Sequence, residues 1–156
     1  MAVTDLQFSD GTRVRLSVGA PWWSWFWLGF IYQPATGTVT VTRTTTQRVC
    51  HWWCLWLCCD NETVEASTNV ESILIEARGF TSNAAGSQVT PQGQAQCSNC
   101  SSLTHYVQNF GFPAPPWAGG GGFQGIGFRA TVRHGKEVLV LHDHWGSAGT
   151  MPADFL

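Results

Sequence analysis

The chain has 156 residues, 44% of them apolar and 12% charged, with a formal charge of −2. That length accommodates a proper core, and the apolar share excludes global disorder. The low, acid-leaning charge excludes a phosphate-neutralising nucleic-acid binder, which needs a basic face.

The opening "MAVTDLQFSDGT" is polar and shows no signal peptide, which leaves a cytosolic or a secreted location open. "FSDGTRVRLSV" sets an Asp-Gly turn (Asp10, Gly11) before a half-buried strand. There Val14, Leu16 and Val18 face one way and Arg13, Arg15 and Ser17 the other. Next comes "PWWSWFWLGFIY", Pro21–Tyr32, with four Trp and no charge. "TGTVTVTRTTT" alternates Val39 and Val41 inward against Thr38, Thr40 and Thr42 outward, since β-branched Thr suits a solvated pleated face.

A second aromatic run, "VCHWWCLWLCC", covers Val49–Cys59. Neither run reaches the roughly 20 apolar residues of a spanning helix. Read as strands, both runs carry apolar side chains on both faces. In the first, Trp23, Trp25, Trp27 and Ile31 oppose Trp22, Phe26, Leu28, Phe30 and Tyr32. In the second, Val49, His51, Trp53, Leu55 and Leu57 oppose Cys50, Trp52, Cys54, Trp56 and Cys58. A two-layer fold needs one apolar face per strand. Unless a loop or helix covers it, the other face is an exposed patch of roughly several hundred Å2.

"VESILIEARGF" reads as a strand with Ile73, Ile75 and Ala77 on one side. Residues 81–102 are polar, rich in Gln, Ser and Gly, and read as a long loop. "LTHYVQNFGF" is a strand candidate, and residues 113–122 form a Pro/Gly-rich loop. Gly120–Gly125 formally fits a dinucleotide fingerprint, but Pro115, Pro116 and Trp117 precede it where a strand is required. The last element is a hairpin. Phe128, Ala130 and Val132 alternate, "HGKE" turns, and Val138, Val140, His142 and His144 line one face of the returning strand. These segments define an all-β chain, a single domain over 1–156 built as an antiparallel β-sandwich or squat β-barrel.

Two sets of metal-ligating residues stand out. Cys97 and Cys100 have the spacing of a zinc half-site and, with Cys54 and Cys58, could complete a structural four-thiolate centre. Disulfides between residues 81–102 and the second aromatic run are the alternative, favoured by sequons at Asn61 and Asn99. His142 and His144 share a strand face, and His105, His134 or Asp143 could supply a third ligand. "HDHWGS" resembles a zinc-ligand strand of the α-type carbonic anhydrases over those six residues alone, and that family's other features are missing.

The functional expectation is a non-enzymatic binding protein that contacts a lipid surface or glycoconjugate through its aromatic runs. The candidates are Trp22, Trp23, Trp25, Trp27, Trp52, Trp53 and Trp56, with Tyr32 and Trp117 at the rim. No cofactor is expected beyond a structural zinc. In broad character this is similar to small β-sandwich lectins and cytolysins. The alternatives are a metal-dependent enzyme using His142 and His144, and a self-assembling subunit whose Trp surfaces meet copies of itself.

Overall fold

The computed structural model describes residues 2–20, 33–83, 86–110 and 123–146. Among them are nine strands: β1 (Asp5–Gln7), β2 (Arg13–Gly19), β3 (Gln33–Cys50), β4 (Cys59–Ser67), β5 (Val70–Asn83), β6 (Gly86–Cys100), β7 (Ser102–Phe110), β8 (Phe123–His134) and β9 (Glu137–Gly146). All pairings between them are antiparallel. One sheet runs β1-β2-β3-β4 with β7 also on β3, and the second runs β6-β5-β8-β9. The architecture is a β-sandwich, as the alternating segments imply.

Each sheet contributes one apolar face to the core. Val14 and Leu16 from β2, Val39 and Val41 from β3 and Val107 from β7 are buried. Opposite them lie Ile73, Ile75 and Ala77 of β5, Ile126, Phe128, Ala130 and Val132 of β8, and Leu141 of β9. These are the inward residues that a period of two assigns to β2, β3, β5 and β8. The sheets are tied at their margins. Val3 exchanges two backbone hydrogen bonds with His142 of β9, at 3.0 and 2.9 Å, just before β1 joins the other sheet. A disulfide, Cys97–Cys100, closes the last residues of β6 just before the chain crosses to β7.

Residues 81–102, expected as a long loop, are instead mostly strand: β5 runs on to Asn83, and β6 pairs with it from Gly86 to Cys100. The reason is position. β6 is the outer strand of its sheet, and Gln, Ser and Thr are compatible with a strand that meets solvent along one edge. Pro91 sits where the register shifts: Ala77 faces Gly93 and Arg78 faces Pro91, so Gln92 is the extra residue of a bulge. An outer strand with a bulge is where proline is tolerated, because its missing N–H leaves no ladder bond unmade.

Close packing makes two core positions exacting. Gly37 of β3 lies under the buried ring of Phe128, and a Cβ there would meet Phe128 Cδ1 at 2.5 Å. Gly37→Ala is expected to cost about 1–3 kcal/mol by overpacking. Gly19→Ala, with nothing within 4 Å, should leave the urea midpoint unchanged or raise it; equal midpoints for the two variants would contradict this packing. The second position is His105 of β7, 8% exposed, with its ring edge-on to Phe128 at 6.3 Å between centroids. Its Nε2 is buried with no hydrogen-bond partner among the described residues. Burial pushes its pKa below the ordinary 6.5. The unfolded chain therefore takes up this proton first, and the neutral ring's contribution is complete above pH 6.5 and is lost as pH falls below it. Chemical denaturation at pH 7 and pH 5 should show a loss of stability on acidification that His105→Leu reduces.

Candidate functional site

Strand β3 is 18 residues long, and only its first part belongs to the sandwich. Thr36–Thr42 pair with β2, and residues between Gln33 and Thr40 pair with β7. From Thr42 to Cys50 the partner is β4, through nine cross-strand pairs ending at Cys50↔Cys59. At about 3.4 Å per residue this two-stranded ribbon is about 27 Å long. No residue from Arg43 to Ser67 is buried. The ribbon is an arm that leaves the sandwich with solvent on both faces. Its composition fits that exposure: Thr44, Thr45, Thr46, Gln47 and Arg48 run against Glu65, Val64, Thr63, Glu62 and Asn61. Thr in particular favours the extended backbone without needing a core.

The arm is fixed at its root. Arg13 of β2 bonds the Asp5 carboxylate at 2.6 Å and Glu65 of β4 at 3.2 Å, so one guanidinium spans β1, β2 and β4. That pairing, with Arg15 also at 3.3 Å, holds the Asp5 carboxyl below the usual carboxylate range. Arg43 reaches back to the Asp10 carbonyl at 3.4 Å.

The far end is apolar. The chain from His51 to Cys58 does not continue the strand; it makes a 3-10 turn at Trp52–Cys54 and then reverses. The second aromatic run is thus a hairpin tip, and the two pleated faces expected of it do not form. Trp52, Trp53, Leu55, Trp56 and Leu57 project from this turn and are 75%, 67%, 81%, 66% and 84% exposed. The outcome anticipated from alternation, large apolar side chains left in water, is reached by a different geometry. His51 is half-buried; its ring stacks on Trp53 at 5.6 Å and its Nε2 lies 3.4 Å from Asp60.

The tip is tightly held. Leu55 N–H donates to the Trp52 carbonyl, Leu57 N–H to Cys54, Trp56 N–H to His51, and His51 N–H to Cys58, all at 2.9–3.1 Å. Leu55 and Trp56 both take left-handed backbone, with φ of 55° and 62°. For non-glycine residues this costs roughly 1–2 kcal/mol each and persists only where the surroundings enforce it. The enforcement is covalent: Cys50–Cys59 closes the base of the turn and Cys54–Cys58 crosses it.

The four cysteines expected to share a zinc site, Cys97, Cys100, Cys54 and Cys58, are not brought together: Cys97 pairs with Cys100 at the end of β6 and Cys54 with Cys58 at the arm tip. Nor do disulfides join residues 81–102 to the aromatic run; each cysteine group pairs within itself, because the fold puts the two groups on different elements. Sequence spacing could not decide between these pairings. His142 and His144 lie on the β9 face opposite buried Leu141, and their candidate third ligands diverge. His105 is in the core, while His134 is 2.7 Å from Asp10. Asp143 alternates to the other face of β9; its Oδ1 accepts the His144 backbone N–H at 2.8 Å and lies 3.9 Å from His144 Nδ1. Among the described residues no three His, Cys, Asp or Glu side chains converge as a metal site. Trp22, Trp23, Trp25, Trp27, Tyr32 and Trp117, and the loop 113–122, lie outside the described residues.

No known family, curated protein or solved structure matches the chain. Closing a loop of this size by the Cys50–Cys59 bond is worth about 2–3 kcal/mol of local stability. In a Cys50→Ser/Cys59→Ser variant, hydrogen exchange should lose protection throughout the arm while β5 and β8 amides remain protected. Unchanged protection in the arm would show that the ribbon holds itself without the bond.

Proposed function

We propose that this protein works by binding, and that the arm tip docks it onto a lipid surface. The observation that carries the reading is five large apolar side chains presented together, each 66% exposed or more, at the end of a disulfide-closed ribbon. A soluble monomer gains nothing from such an arrangement, and water penalises it. Four backbone N–H groups of the tip, those of His51, Leu55, Trp56 and Leu57, are bonded within it, which lowers the cost of taking it out of water. Trp is favoured at the depth where headgroups meet acyl chains, because its indole combines a broad apolar face with one N–H donor. The size suits shallow docking, since eight tip residues cannot cross a bilayer, and no helix among the described residues is long and apolar enough to do so.

Lipid fits the tip better than glycan does. A sugar site stacks one or two rings beside side chains that bond hydroxyls, whereas between Trp52 and Cys58 no Asp, Asn, Gln, Glu or Arg occurs. Disulfides suit an oxidising compartment, where such a tip would meet a membrane from outside the cytosol.

Laying one indole into the interface contributes on the order of 1–3 kcal/mol. Co-sedimentation with liposomes should pellet the intact protein with a blue shift in Trp emission. The Trp52→Ala/Trp53→Ala/Trp56→Ala variant should bind at least about a hundredfold more weakly, and Val64→Ser on the arm shaft should bind normally. Undiminished binding by the triple variant would overturn the assignment to the tip.

A further inference from the structure

We infer that the lipid surface recognised by the arm is electrically neutral, a zwitterionic headgroup layer, and that docking requires neither anionic lipid nor low salt. The inference rests on the arm-tip reading and deepens it.

The argument comes from the charges that would stand beside the headgroups. A protein that selects anionic membranes carries clustered Lys and Arg next to its inserting segment, each contributing about fivefold in affinity. This arm has none of that character. Between Thr42 and Ser67 there is no Lys, and two Arg (Arg43, Arg48) stand against three acids (Asp60, Glu62, Glu65), a net charge of −1 with His51 neutral. That excess of one acid lies nearest the tip. Asp60 and Glu62 fall one and three residues beyond Cys59, against Arg48 alone on the paired strand. Three residues of strand are about 10 Å, so these groups lie close to one Debye length from headgroups contacted by the tip. Arg43 and Glu65 are at the root, where Arg13 and the Asp10 carbonyl engage them. An anionic surface would therefore meet Asp60 and Glu62 with repulsion. A phosphocholine layer, with no net charge, opposes neither sign and leaves the apolar tip as the driving term.

The experiment uses the intact protein with vesicles of phosphatidylcholine alone and vesicles that also contain phosphatidylserine, at low and at high salt. The expected result is partitioning onto phosphatidylcholine alone that changes by less than about twofold with salt, and no tighter binding when phosphatidylserine is present. Binding that requires phosphatidylserine, or that high salt abolishes, overturns the inference while leaving the arm-tip reading intact. Absence of binding to either vesicle overturns both. A second variant checks the placement of the charges: Asp60→Lys/Glu62→Lys should acquire a preference for phosphatidylserine vesicles on the order of tenfold. No acquired preference would show that these positions stand too far from the headgroups for the argument to hold.

Discussion

The structure depends on one strand changing partners. β3 enters the sandwich between β2 and β7, buries Val39 and Val41, and at Thr42 begins to pair with β4 instead. The same backbone is thus anchored by hydrophobic packing at one end and held in solvent at the other. A free two-stranded ribbon is marginal in water. Here its register is already set inside the core, so the entropy of aligning the two strands is largely met before the arm begins. The Arg13 pairing with Asp5 and Glu65 then orients the root, although exposed ion pairs of this kind add little stability by themselves.

The tip shows the opposite balance. Its local preferences oppose its shape: two consecutive non-glycine residues sit in left-handed backbone, and the apolar side chains point outward. Natural sequences tolerate such conflicts where function requires them, and an independent constraint must hold them. The disulfides at Cys50–Cys59 and Cys54–Cys58 supply it. On the docking proposed for it, a rigid tip would lose less conformational entropy than a disordered loop, leaving more of the burial energy of Trp52, Trp53 and Trp56 as affinity.

Much of the sandwich was legible in the sequence because half-buried strands write their orientation every second residue. Alternation alone puts Val14 with Leu16, Ile73 with Ile75 and Phe128 with Val132 on one face of their strands and turns Val39 inward, and all of these are buried. Where alternation is absent the reading fails. β6 has too few apolar residues to show a period, since an outer strand can take its backbone bonds from one neighbour and leave polar side chains to solvent. The second aromatic run fails for the reverse reason: it is apolar at every step, so a period of two and a tight turn look alike.

The sequence by itself determined the all-β class, the identity of the inward faces and the concentration of Trp beyond what one core face can absorb. Those are properties of composition and of the backbone's period, which local chemistry sets. Only the tertiary structure decided that Val49–Cys59 is a tip rather than a strand, that each cysteine group closes on itself, and that His105 and His134 lie away from His142 and His144. These depend on which strand neighbours which and where a pairing ends, and strand partnership is a long-range choice that no local stretch of residues encodes.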